Sequence, residues 1–275
     1  MTKKEYLTLS ASLSAVDISL RLDAEVLLSH ILKKPRSYFL THPNAALSLE
    51  HSEVLNALMQ RRKQGEPLAY LLGYKEFWSL ELEVNSNVLV PRPETEHLIE
   101  WALAHFPEKE ALLLADLGTG SGAIAIALAH SRPMWKIHAS DFSKKALNIA
   151  EKNAAKFSLT NQISFFEGAW CTALPLQKYH AIFSNPPYIA KNDPHLAALS
   201  HEPMIALIAE ENGLKDLRDI ILQARSYLLP GGLLILEHGY DQAAEVTDFL
   251  NHSHYQNIRT FPDLAGLPRF TIAKV

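Results

Sequence analysis

The chain has 275 residues, 48% of them hydrophobic, and a formal net charge of −4. That length can bury one substantial core and a smaller one, and the acidic balance argues against a mainly electrostatic grip on a nucleic-acid backbone. A single cysteine, Cys171, excludes an internal disulfide framework and fits a reducing, cytoplasmic setting in which it packs as a small apolar residue. Residues 1–6 carry charge with no apolar segment behind them, and no run reaches the about 18 residues of a membrane span. A soluble, unprocessed monomer is expected.

Residues 1–73 carry helical patterns and almost no strand signal. Leu20, Leu22, Ala24, Val26, Leu27, Ile31 and Leu32 form one apolar stripe, Val54, Leu55, Leu58 and Met59 another, and together they predict a small helical bundle. Arg61, Arg62 and Lys63 close the second helix, where positive charge complements the helix C-terminus; solvated side chains are expected. Residues 76–90 alternate apolar and polar side chains around Asn85, Ser86 and Asn87, which predicts a β-hairpin inside a linker spanning 74–93. Pro91 and Pro93 mark the junction with a second domain, 94–275. There helices and strands alternate in the doubly wound α/β manner, with strands expected at 111–116, 135–140, 181–183 and 233–236. The last two β-like runs, 258–261 and 270–275, should pair antiparallel at the edge of an otherwise parallel sheet.

After the first of these strands comes Gly118-Thr119-Gly120-Ser121-Gly122, followed by Ala123, Ile124, Ile126, Ala127 and Leu128 at helical spacing. Glycines in a strand-to-helix turn let a ligand approach the backbone, and the helix N-terminus offers unpaired N–H groups to an anion. The same loop satisfies the dinucleotide fingerprint, so alone it is a weak signal. The second strand delivers Asp141, placed to accept hydrogen bonds from ribose hydroxyls, with an N-cap on the helix starting near Ser143 as the competing role.

The fourth strand runs into Asn185-Pro186-Pro187-Tyr188. Each proline fixes its own φ, lacks an N–H and pushes the preceding residue toward extended geometry, so the carbonyls point outward as a rigid acceptor clamp. An amide or arylamine nitrogen delocalises its lone pair, and a catalyst that alkylates it must hold both N–H hydrogens and leave the nitrogen facing the donor. The Asn185 side-chain oxygen and the Pro186 carbonyl can do this, while Tyr188 offers a flat wall. The bland reading, a strand that ends in a Pro-Pro turn, is weakened by the flanking Asn and Tyr. No hydride-transfer constellation accompanies the glycine loop. S-adenosylmethionine suits both halves: its carboxylate fits the helix N-terminus and its sulfonium methyl can face Asn185.

At this point the chain resembles the HemK/PrmC family, whose members methylate a glutamine amide in peptide chain release factors. The likeness lies in Gly65-Glu66-Pro67-Leu68-Ala69-Tyr70-Leu71-Leu72-Gly73 with Glu76-Phe77-Trp78, in Val90-Pro91-Arg92-Pro93-Glu94-Thr95-Glu96, and in Glu202-Pro203 with Ala206-Leu207 and Gly213-Leu214. It implies a Rossmann-like methyltransferase sheet and S-adenosylmethionine contacts from Gly118, Thr119, Gly120, Ser121, Gly122, Asp141, Trp170 and Asn185. It also implies substrate contacts from Asn185, Pro186, Pro187 and Tyr188, with Asn185, Pro186 and Tyr188 at the chemistry and a release factor as partner. An indole after the third strand could cover an adenine face, as Trp170 would. Two departures stand out. Ala169 replaces the acidic residue usual before that tryptophan, and the segment 263–269 matches the family's polar turn only loosely.

Two other readings remain. An adenine-amino methyltransferase acting on DNA or RNA would use the same clamp on a flipped base, against which stand the acidic balance and the linker resemblance. A non-catalytic module that binds S-adenosylmethionine as a regulator conflicts with the intact acceptor clamp. The 13 histidines show no metal spacing. His130 and His138 lie in separate elements, and His252 and His254 flank a polar loop. Glu237-His238 follows the fifth strand near the site, without a chemistry that the sequence specifies.

Overall fold

In the computed structural model, which describes residues 18–42, 45 and 47–275, the chain divides into a first unit ending at Gly73 and a second from Tyr74 to Val275. The charged segment at residues 1–6 lies outside the described residues. The first unit contains α1 (Ile18–Leu32), α2 (Arg36–Thr41), α3 (Leu49–Lys63) and α4 (Leu68–Leu72). Ala24, Leu27 and Leu28 of α1 meet Phe39, Leu55, Met59 and Leu71 in its core. The buried face is narrower than the predicted stripes, since Leu22 and Val54 are both 44% exposed. Helix α3 starts where the Ser48 hydroxyl accepts the His51 N–H at 3.1 Å, which satisfies one of the unpaired first-turn donors.

The expectation of a solvated side chain is corrected for Arg62, whereas Arg61 remains exposed. Arg62 Nε donates to Asp23 at 2.6 Å, and Arg61 makes a two-pronged bond to Glu66 at 2.7 and 2.6 Å. Asp23 is buried, and a buried carboxylate demands a counter-charge.

The second unit opens with a hairpin, β1 (Tyr74–Phe77) and β2 (Leu80–Glu83). Its turn is not at Asn85, as the sequence pattern suggests, but at Trp78 and Ser79, both with positive φ (53° and 59°). A two-residue hairpin needs that conformation to match the strand twist. Two carboxylates stabilise it without glycine: Glu96 accepts the Trp78 N–H at 2.9 Å and Glu76 accepts the Ser79 N–H at 3.0 Å. Asn85 instead closes a local turn by accepting the Asn87 N–H at 2.9 Å.

After a short 3-10 turn, Pro93–Thr95, come α5 (Glu96–His105), β3 (Leu113–Leu117), α6 (Ala123–Ser131), β4 (Lys136–Asp141), α7 (Lys144–Lys156), β5 (Ile163–Glu167) and β6 (Tyr179–Ser184). A small parallel pair, β7 (Ile189–Ala190) with β8 (Ile208–Ala209), precedes α8 (Lys215–Tyr227), β9 (Leu228–Glu237), α9 (Ala243–His252), β10 (Gln256–Pro262) and β11 (Pro268–Lys274). The main sheet has seven strands in the order β10-β11-β9-β6-β3-β4-β5. Strands β5, β4, β3, β6 and β9 are parallel, while β11 runs antiparallel between β9 and β10. The expected antiparallel edge pair is present. The fifth parallel strand starts five residues before the expected 233, because Pro230-Gly231-Gly232 lies inside it as a bulge, where pairing jumps from Tyr179 opposite Leu228 to Ala181 opposite Leu233.

Both faces of the sheet are covered. Ala181 and Phe183 join a core with α5 and α6, and Ile182 joins the opposite core with α8. Parallel strands buried on both faces read as continuous apolar runs, and that is why this part of the architecture shows in the sequence. Among the described residues, no helix is long and apolar enough to cross a membrane.

Asn153 of α7 ties the hairpin to the glycine loop. Fully buried, it accepts the Glu83 N–H at 2.7 Å and donates to the Glu83 carbonyl at 3.0 Å and the Ser121 carbonyl at 2.9 Å. Replacing it with alanine removes the partner of three backbone groups, of which the Ser121 carbonyl is buried and the two of Glu83 are part-buried, and an unmet buried group costs about 1 to 3 kcal/mol. Asn153→Ala should therefore lower unfolding stability by at least about 2 kcal/mol in urea titrations. A loss below about 0.5 kcal/mol would show that the hairpin and loop do not depend on this side chain.

Candidate active site

Strands β3, β4, β6 and β9 end level, with Leu117 opposite Ser140 and Ser184, and Ser184 opposite Leu236. The residues that follow them therefore emerge side by side at one edge, where ligands of open α/β sheets bind. A cleft of about 420 Å³ opens there, lined by Gly118 and Gly120, by Asp141 and Phe142, by Ala169 and Trp170, and by Asn185 and Pro187.

Only two of the five predicted loop residues line the cleft. Gly118 has positive φ, and a Cβ there would stand 3.1 Å from the Trp170 ring. Its missing side chain makes room for the indole. Thr119 turns inward instead, its hydroxyl donating to Asp116 Oδ2 at 2.6 Å, an oxygen that also accepts the Ala125 N–H at 3.2 Å. Ser121 is buried with its carbonyl on Asn153. Gly122 begins α6 at φ +86°, where a Cβ would lie 2.8 Å from Ile126 Cδ1 and 3.3 Å from Ala150 Cβ. Thr119, Ser121 and Gly122 brace the loop from beneath.

Asp141 lines the cleft and holds the loop. Its Oδ2 accepts the Gly120 N–H at 2.9 Å and its Oδ1 accepts the Ser143 N–H at 2.8 Å. The cap of α7 is Ser143, whose hydroxyl accepts the Ala146 N–H at 3.3 Å, so Asp141 does not occupy the N-cap position. Burial raises its carboxyl pKa, against the opposing pull of the two N–H donors. Trp170 has positive φ (49°) and places its indole beside the Asp216 carboxyl, another cleft residue.

In the proline segment, the Asn185 amide nitrogen donates to Thr95 Oγ1 at 3.0 Å, and that hydroxyl donates to Glu237 Oε2 at 2.8 Å. The Asn185 oxygen is thereby the end of the carboxamide turned away from Thr95. Pro186 is buried and Pro187 reaches the cleft. Tyr188 is not among the cleft residues. Its phenol pKa is raised by burial and then by Glu237, with Arg269, Arg92 and Glu94 as further charged neighbours. Its carbonyl accepts from Gln242 Nε2 at 3.0 Å, and a Cβ on Gly213 would stand 2.2 Å from the same oxygen.

The sequence placed Glu237 near the site without a chemistry and left the contacts of Glu202 and Phe142 unread. Glu237 is 1% exposed, and burial pushes its carboxyl pKa up to about 7 while the Thr95 hydroxyl and Arg269 pull it down. Glu202, also buried, accepts the Val90 N–H at 2.9 Å and pairs with Arg92 at 2.5 Å. That pair joins two of the segments that carried the family resemblance. Phe142, 68% exposed at the cleft, was signalled only by being an aromatic next to Asp141. The segment 263–269, whose role the sequence left open, is a turn closed by Asp263, which accepts from Arg269 at 2.9 Å and from the Ala265 and Leu267 N–H groups. Among the described residues, no three His, Cys, Asp or Glu side chains are grouped to hold a metal ion.

The sheet order with its reversed β11, the glycine loop, the carboxylate ending β4 and the proline clamp after β6 together define an S-adenosylmethionine-dependent methyltransferase. Residues 99–254 match the methyltransferase small domain family, and residues 9–73 match the PrmC N-terminal domain. A Coxiella burnetii protein named release factor glutamine methyltransferase is 48% identical over 99% of this chain and 98% of that protein. An Escherichia coli protein of the same name is 42% identical over 92% of each. A Pyrococcus furiosus methyltransferase structure shares the fold at 17% identity, covering 80% of this chain and 96% of its own, with a TM-score of 0.55. The chain belongs to the release factor glutamine methyltransferase family.

The buried Asp116 beneath the loop has a measurable consequence. Burial pushes its carboxyl pKa up to about 7 from an ordinary value of 3.8. Between those values the folded protein keeps a proton that the unfolded chain has lost, so this group's contribution to stability declines as pH rises toward 7 and is level above it. Asp116→Asn removes the titration. Urea unfolding at pH 5 and pH 8 should show a smaller decline for the variant than for the unaltered protein; equal declines would place the Asp116 pKa at its ordinary value.

Proposed function

We propose that this protein transfers the methyl group of S-adenosylmethionine to the side-chain amide nitrogen of a glutamine in a peptide chain release factor. The observation that carries the reading is the Asn185 carboxamide at the cleft, its nitrogen held by Thr95 and its oxygen therefore directed the other way. The shared name of the relatives supports the substrate.

The residues present suit the cofactor. The N-terminus of α6 behind the glycine loop suits the methionine carboxylate, and the Asp141 carboxylate suits the ribose hydroxyls. Trp170 and Phe142 offer aromatic surface to the adenine. With Ala169 in place of an acid, the adenine amino group relies on backbone, water or the nearby Asp216. When bound, S-adenosylmethionine supplies a methyl group on a positively charged sulfur, and the chain's own groups do the positioning. Asn185 Oδ1 and the Pro186 carbonyl accept the two N–H hydrogens of the glutamine amide, which fixes the amide plane with its nitrogen toward the donor. Pro187 bounds the substrate side, and the buried Tyr188 backs the clamp rather than forming the flat wall expected from the sequence. No general base is required. The amide nitrogen becomes far more acidic as its new bond forms, and its proton leaves through the acceptors to water. Alignment of this kind supplies roughly 7 to 11 kcal/mol at best.

Residues 1–73 are proposed to dock the release factor, because one glutamine on a loop offers too little surface for selectivity. The reaction is cytoplasmic and the working form a monomer.

Incubation with labelled S-adenosylmethionine and either release factor or nucleic acid tests the substrate; label in adenine and none in release factor overturns the assignment. Asn185→Ala should reduce transfer by about a hundredfold or more, the scale on which single oriented groups act in transition states, and leave cofactor affinity within about threefold. Near-normal turnover by a folded Asn185→Ala removes this residue from the mechanism. Deleting residues 1–73 should abolish methylation of whole release factor and leave a short glutamine peptide as poor a substrate as it is for the full chain. Undiminished methylation of release factor excludes the docking role.

A further inference from the structure

We infer that Thr95 and Glu237 are positioning residues that set which end of the Asn185 carboxamide faces the substrate. The inference rests on the reading of Asn185 as the acceptor of the glutamine amide. The three residues lie on separate elements. Asn185 follows β6, Glu237 ends the neighbouring β9, and Thr95 closes the 3-10 turn Pro93–Thr95. Thr95 and Glu237 are 4% and 1% exposed.

A threonine hydroxyl has one hydrogen, which here goes to Glu237 Oε2 at 2.8 Å. Its lone pairs are then what Asn185 meets, so the carboxamide presents its N–H to Thr95 at 3.0 Å and its oxygen to the opposite side. Without the carboxylate the hydroxyl could turn its hydrogen toward Asn185. A carboxamide flipped by a half-turn satisfies that arrangement equally well, and it would present N–H groups to a substrate whose nitrogen also bears N–H groups. A neutral hydroxyl alone does not choose between the two orientations. A carboxylate accepts only, and so it chooses.

Burying an ionised carboxylate is costly unless its partners compensate it, and here the Thr95 hydroxyl and the Tyr188 phenol bond to Glu237 while Arg269 lies nearby. The charged and titratable groups facing Glu237 are the Tyr188 phenol, the Arg269 guanidinium and the Glu94 carboxylate. His238, next along the chain, has both ring nitrogens engaged, one with the Gly239 carbonyl at 2.8 Å and the other with Thr271 Oγ1 at 2.9 Å. With burial as the largest influence, Glu237 titrates at about 7. Below that pH its added proton can be donated to Thr95, the hydroxyl hydrogen is released toward Asn185, and the inactive orientation gains population. Turnover should therefore fall as pH drops through about 7.

The test uses the full chain with S-adenosylmethionine and release factor. In Thr95→Val the active orientation leaves the Asn185 N–H unpaired, and in Glu237→Gln the new amide N–H can donate to Thr95 and send the hydroxyl hydrogen toward Asn185. Each variant thus biases the carboxamide against the active orientation and should lower kcat by about tenfold. The KM for release factor and the Kd for S-adenosylmethionine should stay within about threefold, and Thr95→Ser should recover most of kcat. The acidic limb of kcat should vanish in Glu237→Gln and persist in Asp116→Asn, whose carboxyl also titrates at about 7. Thr95→Val with kcat within about threefold of the unaltered enzyme overturns the inference, as does Thr95→Ser being as poor as Thr95→Val. If Thr95→Val does not fold, an unchanged pH profile in folded Glu237→Gln overturns it equally. Asn185→Ala separates the two levels: if that variant is active, the reading of the site fails, whereas if it is inactive while Thr95→Val is active, only the positioning role fails.

Discussion

Parallel strands that end level leave loops and helix N-termini crowded at one edge, rich in N–H donors without strand partners. Here carboxylates at the strand ends answer those donors, and the geometry around the cleft depends on them. Asp116 near the end of β3 takes the Thr119 hydroxyl and the Ala125 N–H, and Asp141 at the end of β4 takes the Gly120 and Ser143 N–H groups. Glu237 at the end of β9 takes the Thr95 hydroxyl. Each bond fixes a segment next to the cleft. Without the carboxylates the sheet would remain, but the glycine loop and, through Thr95, the Asn185 carboxamide would each lose a contact that orients them.

This arrangement works against stability. Asp116 has one side-chain oxygen without a hydrogen-bond partner, and burial pushes both Asp116 and Glu237 up to about 7. A protein selected for stability alone would place neutral acceptors there. Strained or costly groups gather where function over-determines them. Trp170 is a second instance, held at positive φ beside Gly118.

The parts of the site that were legible in the sequence are those whose chemistry is written in adjacent residues. Gly118, Gly120, Asp141, Asn185 and Pro187 each follow an apolar strand and line the cleft, whereas Thr119, Ser121, Gly122 and Tyr188, drawn from the same motifs, do not. The doubly wound core was legible for the same reason, since strands covered on both faces read as unbroken apolar runs. What escaped reading was decided by contacts far apart in the chain. Thr95 meets Glu237, and Arg92 meets Glu202, across more than a hundred residues in each case. The resemblance marked both segments without saying that they touch. The hairpin turn was misplaced for a different reason: Asn85 has strong local turn chemistry, whereas the Trp78-Ser79 turn owes its conformation to the carboxylates of Glu76 and Glu96. Arg62 was misread because its partner, Asp23, lies a helix away.

The proline clamp is anchored at both ends, and this bears on why two prolines stand between Asn185 and Tyr188. At one end Asn185 is tied through Thr95 to Glu237. At the other the Tyr188 carbonyl is held by Gln242, whose own oxygen accepts the Gly239 N–H at 2.9 Å, with Gly213 pressed against the same carbonyl where no side chain could fit. A segment fixed at both ends can still buckle in the middle if its φ angles are free. Pro186 and Pro187 remove that freedom, and they lack N–H groups that would compete with the substrate for nearby acceptors. The rigidity of the clamp therefore arises from sequence and tertiary contacts together. The prolines limit the backbone and the anchored ends choose the one arrangement that remains.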